Sequence, residues 1–209
     1  MPPMSKSLLD LLQLADSAFP SGGYAHSLGL ETLYVWEDVD LEIHVRFLLS
    51  NSLARVELPV VREAYLRGDL AELDALLDVA LPVAELRAAS RSIGRGFLRA
   101  AARLRPVSSP AEYHAVVFGA ALRAWELDLD DGLEVYAFQA ARQQLSAAQR
   151  LGRIGQSTLH DLLDRLKPAV SAAVAESWTV AREEIGGCAP LLDLAAIAHA
   201  DQHARLFVS

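Results

Sequence analysis

The chain has 209 residues, 52% of them hydrophobic but only 7% aromatic; Ala and Leu supply the apolar mass, and both favour helix over strand. A formal charge of −8 at pH 7 repels a polyanion such as nucleic acid. The single cysteine, Cys188, cannot close an intrachain disulfide or build a four-Cys zinc site, and no apolar run reaches the ~20 residues needed to span a bilayer.

The expectation is an all-α fold, a single domain over residues 1–209 built as an irregular bundle of about eight to ten helices. Met1 to Asp10 does not read as a signal peptide, so the expected compartment is the reducing cytoplasm. Leu8 to Leu14 reads as a short helix. Pro20-Ser21-Gly22-Gly23 must be a loop, because Pro lacks a donor and adjacent glycines disfavour helix. Helical character resumes from Ala25 to Trp36. Asp38 or Asp40 can cap the next helix, whose Leu41, Val45, Leu48, Leu49, Leu53 and Val56 recur at spacings of three or four. Pro59 should interrupt or kink it, and Gly68 ends the segment from Val60 to Arg67 as a C′ residue.

A third block runs from Leu70 to Leu81, with Pro82 opening a helix that reaches about Leu104. Pro106 to Pro110 is a loop, and Ser109 with Pro110 reads as a cap and first-turn proline of the following helix. Leu122, Trp125, Leu129, Leu133, Tyr136 and Ala140 keep an apolar seam in register across the acidic break around Asp128 to Gly132. That seam closes at Leu151-Gly152. Thr158 to Asp161 resembles a capping box for a helix that Pro168 should kink and that runs to Ile185. Pro190 starts the last helix, ending near His203.

Few of these residues form a reactive centre. Ala25-His26-Ser27-Leu28-Gly29 approaches a hydrolase nucleophile elbow but has Ala for the first Gly and a Gly-Gly loop in place of a strand. Pro20 to Gly23 lacks the Gly-Lys-Ser/Thr of a phosphate loop. His199 and His203 stand at helical metal-ligand spacing, yet only two ligands are visible and Ala200 replaces the Glu of a zinc protease. His26, His44, His114 and His160 are scattered singly. Arg87, Arg91, Arg95, Arg99 and Arg103 form a basic stripe, read first as a solvated face and second as a surface for an acidic partner. The corner Arg150-Leu151-Gly152-Arg153-Ile154-Gly155-Gln156 combines relaxed backbone with planar hydrogen-bonding groups, which suits either a structured helix end or a binding surface.

Taken together, these segments resemble the urease accessory protein F family. Leu11 to Glu31 is similar to its opening signature, and Phe118-Gly119 and Ser146 to Gln156 resemble its middle. The ending His199 to Ser209 is similar to His-Glu-x-Gln-Tyr-Ser-Arg-Leu-Phe-Arg-Ser, with Ala200, His203, Ala204 and Val208 replacing Glu, Tyr, Ser and Arg. Ser157 to His160 stands where the family more often has a polar stretch containing Gly.

The resemblance implies a non-enzymatic, cytoplasmic, all-α homodimer. It implies a chaperone role in inserting nickel into apo-urease, bridging the D-type (or H-type) accessory protein and the nickel-carrying G-type GTPase and modulating the latter. No cofactor is expected on this chain, nickel being handled by the assembly. The implied contacts with the D/H-type protein are Phe19, Pro20, Tyr24, His26, His199, Gln202, Arg205, Leu206 and Phe207; those with the GTPase are Arg150, Gly152 and Gln156. A Ser27-dependent hydrolase and a nickel carrier using His199 and His203 are the competing readings.

Overall fold

A computed structural model describes residues 6–187, 189–199, 202 and 205–208; Cys188, His203 and the tail differences at Ala200 and Ala204 lie outside the described residues. Helix is the regular structure throughout, and no strand is present among the described residues, as the Ala- and Leu-rich composition requires. Helix α1 (Lys6–Leu14) buries Leu11 and Leu14, and α2 (Leu30–Trp36) follows a long loop. Helix α3 (Leu41–Leu48) is capped by Asp40, whose carboxylate accepts the Ile43 N–H at 3.0 Å.

The chain then passes without a break through a π-helical stretch (Leu49–Glu57) into α4 (Leu58–Leu66). Pro59 is the physical reason for that irregularity, since it has no N–H for the Arg55 carbonyl and its ring presses on that carbonyl. The widened turn lets Leu58 N–H reach Leu53 O, while the Arg55 carbonyl accepts from Gly186 N–H at 3.3 Å. The rod therefore continues where the sequence predicts interruption, and Leu41, Val45, Leu49, Leu53 and Val56 all stay buried along it.

Helices α5 (Leu70–Ala80), α6 (Ala84–Leu104), α7 (His114–Ala124), α8 (Leu129–Arg150), α9 (Gln156–Ser177) and α10 (Pro190–His199) complete the architecture. Ten α-helices among the described residues agree with the expected number. Helix α7 is buried at every position from Ala115 to Leu122, packed between α4 and α6, and α8 lies against α9. Each large aliphatic side chain so enclosed contributes about 1.5–3 kcal/mol. The seam from Leu122 to Tyr136 is buried as expected, across a break where Glu126 takes a positive φ of 55° and Asp128 caps α8.

Several boundaries differ from the sequence reading. Helix α2 begins at Leu30 rather than Ala25, because Leu28 (φ 54°) and Gly29 (φ 89°) are left-handed and hold residues 26–29 out of helix. Pro82 is not the first residue of α6, which starts two residues later. Ser109 caps only a turn, its hydroxyl accepting from Ala111 N–H; α7 waits until His114, after Asp74 of α5 has bound the N–H groups of Glu112 and Tyr113 at 3.0–3.1 Å. Helix α9 opens at Gln156, not at a Thr158 box, and contains Pro168. It stops at Ser177 rather than Ile185 because the buried Arg62 guanidinium takes the Ser177 and Val180 carbonyls at 2.5 and 2.9 Å.

Candidate docking site

Three remote segments meet at one end of α8. The first is the loop from Ala15 to Gly29, which crosses α6 at Gly96, where a Cβ would lie only 2.3 Å from the Ser21 carbonyl. Asp16 shapes its start by accepting Ala18 N–H at 2.8 Å, and Gly22 (φ 85°) turns it into a short 3₁₀ turn at Gly23–Ala25. Its carbonyls would be costly to leave unpaired against the core. Three glutamines of α8 satisfy two of them and the last carbonyl of α1: Gln143 donates to Gly23 O at 2.9 Å, Gln144 to Ser27 O at 3.3 Å, and Gln139 to Leu14 O at 2.8 Å. Gln144 also faces the His44 ring at 3.2 Å.

The second segment is α2 with α10 on top of it. Gly29 permits their contact, since its Cα lies beneath the α10 backbone at Leu192 and Ala196. The third is the tail, Arg205 to Val208. Glu31 fastens it: one carboxylate, 9% exposed, accepts from His199 Nε2 at 2.9 Å, Leu206 N–H at 2.8 Å and Phe207 N–H at 3.2 Å. Burial pushes the Glu31 carboxyl up, but these three donors together draw it below the usual carboxylate value. Gln202 donates to Thr32 at 3.1 Å, and Val208 N–H bonds to Ala25 O at 2.9 Å.

Arg150, the last residue of α8, joins the three. Its guanidinium donates to the Tyr24 carbonyl and lies 4.3 Å from the Phe207 ring centre and 5.6 Å from that of Tyr24. Phe207 is buried, whereas Tyr24, Leu206 and Val208 are 72, 55 and 67% exposed. The result is a paired polar frame carrying an apolar rim, an arrangement suited to binding rather than to bond-making.

Of the residues expected to meet the D/H-type protein, Tyr24, His199, Gln202, Leu206 and Phe207 converge here, and Arg205 sits exposed at the start of the tail. Pro20 is exposed on the same loop. Phe19 instead turns inward, its ring 5.2 Å from Phe97, and His26 is buried with its imidazole pKa lowered by desolvation. Arg150, expected on the GTPase side, is shared with the tail. Gly152 (φ 70°) and Gln156 lie beyond it at the exposed α8–α9 corner, where Gln149 donates to Gln156 at 2.7 Å. Gln139, Gln143, Gln144, Glu31 and Thr32 were not singled out by the sequence; the only available signal was a run of glutamines recurring on an otherwise apolar helix face.

Alternative chemistries fare poorly on this geometry. Ser27 is fully buried and is followed by a left-handed Leu28 rather than by a nucleophile elbow. His199 is engaged by Glu31, and among the described residues no group of three His, Cys, Asp or Glu is placed to hold a metal ion. The arginine stripe is partly consumed within the chain: Arg87 donates to Leu81 O, Arg91 pairs with Asp78 at 2.6 Å and Arg95 with Glu112 at 3.0 Å. No helix among the described residues is long and apolar enough to cross a membrane.

Residues 35–167 match the family model UreF. The chain belongs to the UreF family of urease accessory proteins. It is 31% identical to the urease accessory protein UreF of a Nostoc species, over 96% of this chain and 95% of that protein. It is likewise 31% identical to that of an Arthrobacter species, over 96% of each. The Arabidopsis thaliana urease accessory protein F is 33% identical over 94% of this chain and 90% of that one. Membership carries a role in urease maturation, with partners among the maturation factors, and the relatives' names describe accessory proteins rather than enzymes. The family-model match covers Arg150 and the α8–α9 corner, while the 15–29 loop, α10 and the tail lie outside its residues.

Proposed function

We propose that this chain is a non-catalytic docking scaffold for nickel insertion into apo-urease, bridging the D/H-type accessory protein and the nickel-carrying G-type GTPase. The tail frame takes the D/H-type protein, and the corner at Gly152 and Gln156 takes the GTPase and modulates it. The working unit is a cytoplasmic homodimer with no cofactor of its own, nickel being handled by the assembly. One observation supports this reading above the others: Arg150 and Glu31 hold Tyr24, Leu206 and Phe207, Val208 N–H bonds to Ala25 O, and Tyr24, Leu206 and Val208 are left exposed. A scaffold works by binding one state of its partner better than another, which is how nucleotide state and metal release become coupled.

The test is co-purification with both partner types. Removing residues 201–209 is expected to weaken capture of the D/H-type protein at least tenfold while the far-ultraviolet helical signal stays unchanged. Gln156→Ala is expected to impair capture of the GTPase alone. Undiminished capture by both variants would refute the assignment, and substrate turnover by the wild-type chain that Ser27→Ala abolishes would replace it with the hydrolase.

A further inference from the structure

Beside the docking end, a cleft of about 240 Å³ opens between the 15–29 loop, the π-helical stretch, α6, α8 and α10. Its walls are mostly apolar and include Leu53, Val56, Ile93, Phe97 and Ala140. Set among them is Glu57, the last residue of the π-helical stretch. The Pro59-induced widening of the helix is what delivers this carboxyl to the cleft, and π-turns of this kind recur at functional sites.

Glu57 is held on one side only. Tyr136 donates its hydroxyl to one carboxylate oxygen at 2.5 Å, and its ring is in turn packed against His114, tilted, and Phe118, edge-on, each with ring centres 5.1 Å away. Among the described residues no cation pairs with Glu57. Burial raises its carboxyl pKa and the Tyr136 hydrogen bond only partly offsets this. Two other buried carboxylates of the chain are paired with cationic groups, Glu31 with His199 and Asp10 with Arg105. Of the charged side chains on the same cleft, Asp16 and Asp193 add negative charge, Arg142 lies six residues along α8 from Tyr136, and Arg150 is committed to Tyr24 and Phe207. A desolvated carboxyl in such a place either stays protonated or ionises beside a cation, and a cation entering the cleft favours the ionised form.

We propose that this cleft is a docking pocket for a lysine or arginine side chain of a partner protein, with the apolar walls taking the stem and Glu57 with Tyr136 the charged head. A long apolar stem ending in a cation is the one protein side-chain chemistry that matches both the walls and the floor. The acidic excess of the whole chain steers a basic partner segment toward it. The identity of that partner rests on the scaffold reading; the pocket's preference for a cation does not.

The full chain is tested first with small probes, by saturation-transfer NMR: n-butylamine and n-butylguanidine against n-pentanol and pentanoate. The amine and guanidine are expected to bind at least tenfold more tightly than the alcohol and the acid, with Glu57→Gln abolishing the difference. Equal binding of amine and alcohol by the wild-type chain, a comparison that needs no variant to fold, overturns the pocket. So does a preference that persists in Glu57→Gln. At the partner level, Glu57→Gln is expected to weaken capture of the D/H-type protein or the GTPase at least tenfold. Unchanged capture of both, or a change confined to self-association, overturns the partner assignment. A wild-type chain that captures neither protein refutes the scaffold reading, while the probe comparison still decides the pocket.

Discussion

Replacing Glu31 by Gln separates the tail from the rest of the fold. The carboxylate accepts three hydrogen bonds, from His199, Leu206 and Phe207, and a bond to a charged group nets about 1.5–3 kcal/mol. The amide oxygen can take the Oε2 position, where His199 and Phe207 donate, and turns its N–H₂ toward Leu206 N–H, so one bond is lost and the other two weaken from charged to neutral. Part of that is regained when the freed groups meet water, leaving about 3 kcal/mol, or roughly a hundredfold in the docking equilibrium of the tail. Native-state hydrogen exchange reads this directly. The amides of Leu206 and Phe207 are expected to exchange about a hundredfold faster, and Val208, bonded to Ala25 O, should follow them. Amides of α4 and α7 should keep their protection. Because the folded carboxyl is depressed, its contribution is present above the ordinary carboxylate pKa and is lost as pH falls through the lower folded value. The wild-type tail should therefore loosen only in acid, and the Gln variant should show no such step. Unchanged protection at Leu206 and Phe207, or equal loss throughout the core, would refute the assignment of Glu31 as the tail's fastening.

Three further outcomes follow from the same geometry. Gly29→Ala places a Cβ 3.1 Å from Ala196 N and 3.3 Å from Leu192 O at a φ of 89°, and should cost about 1–3 kcal/mol; thermal melting and tail-amide exchange would show it, and an unchanged melt would contradict the packing. Arg150→Ala loses the Tyr24 carbonyl and the Phe207 face, worth about 1–2 kcal/mol for groups in part exposed, so trypsin should cut after Arg205 several-fold faster while the helical melt barely moves. His114, enclosed by Phe97, Phe118 and Tyr136, has its pKa lowered by burial to about 4. Stability is then full above the unfolded value near 6.5 and falls as pH drops from there toward 4, by at most about 3 kcal/mol; His114→Phe should flatten urea-unfolding midpoints across that range.

Helix content and the buried seams were legible because they depend on composition and on a 3.6-residue period that Leu41 to Val56 and Leu122 to Tyr136 both keep. Boundaries were less so. The expected start at Ala25 failed on the left-handed Leu28 and Gly29, and the expected end at Ile185 failed on Arg62, a residue more than a hundred positions away that takes the last carbonyl of α9 and that of Val180 beyond it. Local propensity carries no information about such a partner. The same limit applied to the site. Tyr24, His199 and Phe207 were readable from a family resemblance, but their fastening by Glu31 and by the glutamines of α8 depends on contacts over 117 to 176 positions of sequence. The resemblance places Phe19 at the D/H-type contact, and its ring stands 5.2 Å from that of Phe97, a neighbour that local sequence does not reveal because aromatic side chains serve interfaces and cores equally well.

That long-range construction bears on how the two proposed docking surfaces relate. Arg150 ends α8, so the orientation of its guanidinium is set by the helix on one side and by the Tyr24 carbonyl and Phe207 ring on the other. Gly152 follows two residues later with a left-handed backbone and no neighbour within 4 Å of a would-be Cβ. The corner from Gly152 to Gln156 is anchored at its α8 end, through Arg153 over the Tyr34 ring at 4.8 Å, and through the Gln149–Gln156 bond. A partner that tightens the tail onto Glu31 also fixes Arg150, and with it the starting point of the corner; one that pulls the tail away releases both. Binding at the two surfaces must then be linked, and reciprocally so, since any change one partner makes in the affinity for the other is returned in equal measure.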